Sequence, residues 1–188
     1  MEKKIDLRVI KTYNKLTVSF GEMMQTTSFD DITVFDLCEK AEVRRATFYK
    51  HFNDKYDFFR SLVNIVIVNI DKKVCEITKN SSIIDYIINY VKELISYLNE
   101  RPHIISNILK SDAAAVMLDI ITNCTNESLK RHIESDKALA NSLVVDTDTI
   151  SRFVISGIST ILLNSFKTDT ASEEEHVAKI YAILNKLF

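Results

Sequence analysis

The stretch Ile32–Phe59, ITVFDLCEKAEVRRATFYKHFNDKYDFF, decides the fold of this chain. Thr33 followed three residues later by Asp36 is a capping box, which opens a short helix whose Leu37, Cys38 and Ala41 face inward. Ala41, Glu42 and Val43 make a tight turn. A third helix is expected from about Arg44 to His51, with Phe48 and Phe52 as core anchors and Tyr49, Lys50 and His51 left to face outward. Asp54, with Asp57 three residues on, caps a longer helix that runs to about Thr78. Two short helices joined by a tight turn, the second rich in cations and hydroxyls, form a helix-turn-helix. That motif lays its second helix in the major groove of DNA, where side chains meet base edges while flanking groups hold phosphates.

Charge supports this reading locally. From Arg44 to Lys55 there are four cations against Asp54 alone, a net +3, which leaves −5 for the rest of a chain whose total is −2. Non-specific coating of nucleic acid comes from phosphate neutralisation and calls for a spread of positive charge. Here one small surface is cationic and the remainder repels DNA.

Working outward, Ile5, Val9, Tyr13, Leu16, Phe20 and Met23 recur at helical spacing and mark a first amphipathic helix from about Asp6 to Gln25. Downstream, LVNIVIVNI (Leu62–Ile70) is β-branched enough for a strand. It has no Gly or Pro boundary, however, and runs from a capped helix start into DKKVCEITK with a period near 3.6, so it reads as helix. Ser82 with Asp85 opens another helix, Pro102 sits at a first helical position, and Ala113 to His132 continues the pattern. Two more helices are expected over Thr149 to Lys167 and Glu173 to Leu187, the last capped by Ser172 with Glu175, while Glu134 to Thr147 reads as loop.

With 188 residues but only two Gly and one Pro, the chain has too few turn formers for an all-β fold. The fold class is all-α, about nine helices, with a three-helix DNA-binding domain over 1–55 and a larger helical domain over 56–188. Cys38, Cys75 and Cys124 are odd in number and widely spaced, so neither a disulfide framework nor a metal site is indicated, and no cofactor is expected. Buried small hydrophobes are the plain reading for all three. His103, His132 and His176 lack ligand spacing. No apolar run approaches the roughly 20 residues that span a bilayer and no signal-peptide h-region opens the chain, so a cytoplasmic protein is expected. Carboxylate–His pairs, Gly-rich phosphate loops and nucleophile motifs are missing from the sequence, which argues against an enzyme.

The three-helix order, the motif FDDITVFDLCEKAEVRRATFYKHFNDKYDFF and the helical remainder resemble the TetR family of bacterial transcription regulators. The resemblance is carried by about Asp6 to Phe59. Further on, Tyr86 to Leu109 resembles the C-terminal region of the DhaS-type branch. The resemblance implies phosphate contacts at Thr33, Tyr49, His51 and Lys55, with Arg44, Arg45, Thr47 and Lys50 where bases or nearby phosphates are reached. Chemistry agrees, since Arg pairs bidentately with guanine O6 and N7, and exposed helix-start amides suit phosphate. One departure stands out: the turn position usually taken by Gly is Glu42, at a cost on the order of 1 kcal/mol if it is left-handed.

For the larger domain, Ile150, Phe153, Val154, Gly157, Ile158 and Ile161 form one apolar stripe, and Val177, Ile180, Tyr181, Leu184 and Leu187 form another. Leu162, Leu163 and Phe188 widen them. Together they hold more apolar surface than one protomer covers, which predicts a four-helix homodimer interface, the arrangement the resemblance also implies. Tyr86, Tyr90, Tyr97, His103, Met117 and Phe153 offer an apolar lining with polar tips and form the candidate small-molecule effector site. At helical spacing the same residues also fit a plain core. The expectation is a ligand-responsive homodimeric repressor on a palindromic operator; the alternative is an activator or helical module that docks a protein partner. A cavity of several hundred Å3 favours sensing, a solid core with an exposed apolar patch favours a partner.

Overall fold

The computed structural model describes residues 7–79, 81–168 and 172–188. Among them are ten α-helices: α1 (Leu7–Met23), α2 (Val34–Lys40), α3 (Arg45–Phe48), α4 (Lys55–Ile77), α5 (Ile83–Asn99), α6 (Pro102–Leu109), α7 (Ala113–Ser135), α8 (Lys137–Ser142), α9 (Thr147–Thr168) and α10 (Glu173–Leu187). The all-α expectation holds. The expected count of nine falls one short, because α8 lies inside the stretch read as loop and α9 starts two residues before Thr149. Asp136 caps α8, its Oδ1 accepting from the Ala138 and Leu139 amides at 3.1 Å. The helix buries none of its side chains, so it shows no apolar period to read. Asp6, the expected start of α1, lies outside the described residues.

The chain packs as two units. The first runs to Leu62 and takes back Arg101–Met117; the second holds Val63–Glu100 and Leu118–Phe188. The chain passes from the first unit to the second inside α4, between Leu62 and Val63.

The first unit is built on rings. Phe29, Phe48 and Phe58 are fully buried, and Phe20, Phe52 and Phe59 nearly so. Phe52 and Phe58 lie 5.0 Å apart, Phe29 and Phe59 5.1 Å, and Phe20 meets Phe58 edge-on at 5.6 Å, separations at which such pairs add to the gain from burial. Leu16, Met24, Ile32 and Leu37 fill the remaining space. The segment between α1 and α2 is tied from two sides. Asn107 of α6 donates through Nδ2 to the Met24 and Thr27 carbonyls at 3.1 and 2.5 Å and accepts from the Phe29 amide at 3.0 Å. Lys55, at the start of α4, donates from Nζ to the Phe29, Asp30 and Ile32 carbonyls at 3.0, 2.7 and 3.0 Å, and its ammonium lies 4.9 Å from the centre of the Phe29 ring.

In the second unit α5 is the central element. Ser82 and Asp85 form the reciprocal capping box, and eight side chains from Tyr86 to Leu98 are buried. Helix α10 packs on α5 and on α9. The β-branched run Leu62–Ile70 is helical, part of α4, where Ile67, Ile70 and Val74 turn inward.

Candidate functional site

Helix α2 starts as its sequence dictates. The Thr33 hydroxyl accepts from the Asp36 amide at 3.1 Å and donates to the Asp36 carboxylate at 2.5 Å, so it is fully engaged as a cap. At the other end the Val43 amide donates to the Cys38 carbonyl at 2.9 Å and the Glu42 amide to the Glu39 carbonyl at 3.1 Å. These are the two bonds of a Schellman termination, whose pivot must be left-handed. Glu42 is that pivot, with φ +52°. Its carboxylate is turned to Lys15 of α1 at 3.2 Å.

Helix α3 is regular only over Arg45–Phe48, shorter than the expected Arg44–His51, and continues as turns through His51. Arg44 is its extended N-cap. Phe48 and Phe52 anchor one side in the ring cluster, while Arg44, Arg45, Tyr49, Lys50 and His51 are exposed and Thr47 is half-buried. The Arg45 guanidinium lies 5.5 Å from the centre of the Phe35 ring, an exposed aromatic on α2 that holds it against the surface. Sequence reasoning did not single out Phe35; its signal was an apolar residue on the outward side of a short helix. Lys55 stands apart from the other cations, since its ammonium serves three backbone carbonyls of its own unit.

The six candidate effector residues do not form one site. Tyr86 and Tyr90 are buried neighbours, ring centres 6.1 Å apart, beside a small cavity lined by α5, α7 and α9. That cavity measures about 20 Å3, room for about one water. The Tyr90 hydroxyl is 2.8 Å from Thr125 Oγ1. His103 is exposed and Met117 buried, both in the first unit; Tyr97 is half-buried; and Phe153 is 64% exposed on α9. One side of each helix faces its own core while the other does not, so equal spacing along the sequence does not converge on one void.

The stripes on α9 and α10 divide in the same way. Val154, Ile158, Leu162, Ile180 and Leu184 are buried, and all of these but Leu162 also line the groove of α9 and α10. Phe153, Gly157 and Tyr181 are exposed, and Ile150, Ile161, Val177 and Leu187 half-exposed. Phe153, Gly157, Ile161, Ile183 and Leu187 line an open apolar groove of about 660 Å3. Ile183, which the stripe had missed, is 49% exposed. A Cβ on Gly157 would meet nothing within 4 Å.

A further cluster was invisible in the sequence. Asp71 and Cys75, one turn apart on α4, meet His132 of α7. Cys75 Sγ lies 3.4 Å from His132 Nε2 and 3.7 Å from Asp71 Oδ1, which also accepts from the Tyr86 hydroxyl at 2.6 Å. Burial, reinforced by Asp71, pushes the Cys75 thiol up, and burial holds the His132 imidazole below its usual range.

A capped helix, a Schellman turn and a second helix that is aromatic behind and cationic in front define a helix-turn-helix module. Residues 22–62 match the model of the bacterial regulatory proteins, tetR family. That match spans 41 of the 188 residues and coincides with the helix-turn-helix module. An uncharacterized HTH-type transcriptional regulator, YxbF, from Bacillus subtilis (strain 168) is 33% identical over 63 residues, a match that covers 33% of this chain and 17% of that relative. Over the whole chain the fold is similar to a TetR-family transcriptional regulator from Syntrophomonas wolfei str. Goettingen, described as putative, with TM-score 0.73, 15% identity, and 95% of each chain covered. It is also similar to the dihydroxyacetone kinase operon activator DhaS, with TM-score 0.59, 19% identity, and 95% of this chain and 97% of that one covered. No described helix is long and apolar enough to cross a membrane.

Proposed function

We propose that the chain is a sequence-specific DNA-binding transcriptional regulator that acts in the cytoplasm as a homodimer on a palindromic site. One observation carries the reading: Arg44, Arg45, Tyr49, Lys50 and His51 are exposed together on a helix whose back is anchored by Phe48 and Phe52. Arg45, steadied over Phe35, is suited to bidentate contact with a guanine edge, Thr47 to a neighbouring base or phosphate, and Tyr49, Lys50 and His51 to backbone phosphates. Lys55 and Thr33 contribute by fixing the module, through the carbonyls and the cap they serve.

The occupant of the α9–α10 groove is a second copy of the chain. Two such grooves brought face to face by a two-fold axis bury Phe153, Ile161 and Ile183 of both copies, and Gly157 lets the backbones approach. A two-fold protein demands a two-fold site, with half-sites about one helical turn apart or a multiple of it. A dimer bound there represses wherever the site overlaps a promoter. Response to a small molecule requires opening the cavity beside Tyr86 and Tyr90, because about 20 Å3 admits no effector.

The test is fluorescence anisotropy on a palindromic duplex and a scrambled one across a salt series. Affinity for the palindrome should exceed that for the scramble at every salt concentration and should fall steeply as salt rises. Equal affinities at physiological salt would defeat the proposal.

A further inference from the structure

We infer that Asp71, Cys75 and His132 form a binding site for a divalent transition metal of the zinc type. The argument starts from geometry. Around tetrahedral zinc, with bonds of about 2.3 Å to sulfur and about 2.0–2.2 Å to nitrogen or oxygen, neighbouring ligand atoms stand about 3.6 Å apart. Cys75 Sγ lies 3.4 Å from His132 Nε2 and 3.7 Å from Asp71 Oδ1, and one donor atom from each of the three residues falls within 4.8 Å of the others. The two edges that meet at Cys75 match that tetrahedron, and the third pair of donors lies within 4.8 Å. A thiolate, an imidazole and a carboxylate are the donor types of zinc sites, and a set of three leaves the fourth position to water or an exogenous ligand.

The surroundings hold the donors in place. The Tyr86 hydroxyl donates to Asp71 Oδ1 at 2.6 Å, and the Tyr86 ring lies 3.9 Å from the centre of the His132 ring, so one tyrosine orients both ligands. Asp71 and Cys75 are one turn apart on a single helix, which fixes their separation. All three are half-buried, within reach of an entering ion yet partly shielded from water. The opposing charge is Arg131, 3.8 Å from Asp71 Oδ2. Its side chain is 70% exposed and already donates to Ser128 Oγ at 2.8 Å and the Glu127 carbonyl at 3.2 Å, so it can stay on those partners when a cation arrives. On binding, Cys75 releases its thiol proton to solvent and becomes the thiolate ligand.

The full-length protein, reduced and stripped with a chelator, is titrated with Co2+. One equivalent should produce the visible bands of tetrahedral, thiolate-ligated cobalt, and Zn2+ should abolish them. Cys75→Ala should remove the sulfur-to-metal band, His132→Ala should weaken binding by more than about a hundredfold, and Cys124→Ala should change neither. A measurement without variants runs beside it: Zn2+ should protect Cys75 of the wild-type protein from alkylation, with the modified cysteine located by mass spectrometry. The inference is overturned if no such bands form, if they persist in Cys75→Ala, or if Zn2+ leaves the alkylation of Cys75 unchanged.

Discussion

Glu42 carries the clearest strain in the described chain, a non-Gly residue at φ +52° in a turn that asks for glycine. The exposed ion pair with Lys15 offsets little of that, because such pairs contribute about 0–1 kcal/mol. We expect Glu42→Gly to stabilise the protein by about 0.5–1 kcal/mol in denaturant unfolding, the relief of a left-handed side chain less the added freedom of the unfolded chain. A lower midpoint would show that the Lys15 contact outweighs the strain. Lys55 and Asn107 make the opposite case. Each satisfies backbone groups of the segment before α2, so Lys55→Ala or Asn107→Ala should cost about 1–3 kcal/mol and lower the melting temperature. Lys55→Met, which keeps the stem but not the donors, should be nearly as unstable as Lys55→Ala; wild-type stability would mean the ammonium is idle. Residue types disclosed Glu42 as a misfit at its turn, and they disclosed the Thr33 cap. They could not disclose that Lys55 turns inward, since a cation beside a recognition helix reads equally well as a phosphate ligand.

At the scale of elements, capping chemistry and period were enough where a helix is long or capped by a box: α2, α4, α5 and α10 start where Thr33, Asp54, Ser82 and Ser172 place them. Helix α8 escaped notice because six residues that bury nothing carry no period. On α9 and α10 the period was right, but it could not say which half of a broad stripe faces the protomer's own core. Val154, Ile158, Ile180 and Leu184 are buried, although they too line the groove; Phe153 and Ile183 are exposed. The dimer should therefore be most sensitive at the exposed half. We expect Ile183→Glu to give a folded monomer by sedimentation, with a melting temperature within a few degrees of wild type, whereas Ile180→Glu should unfold the protein by burying an unpaired charge. The Ile183→Glu monomer should also bind a palindrome much more weakly, since linked half-sites gain from effective concentration. A dimer that survives Ile183→Glu with wild-type affinity would place the interface elsewhere.

Over the whole molecule, what was legible is what lies close together in sequence: the helix-turn-helix, its cationic face and the all-α class. What was not legible is assembled across the chain. Asn107 reaches back to Met24, and Cys75 meets His132 across 57 positions, separations that no local pattern encodes. The effector residues failed for the converse reason, since helical spacing placed Phe153 and Tyr86 on apolar faces that do not meet. The central claim is that the exposed face of α3 reads a DNA sequence, and selection of binding sites from a random duplex pool tests it most directly. The wild-type protein should enrich one palindromic motif. Arg45→Ala should enrich the same motif with one base position relaxed in each half-site and an affinity lower by about 1–3 kcal/mol. No enriched motif, or a motif and affinity identical for wild type and Arg45→Ala, would contradict the account.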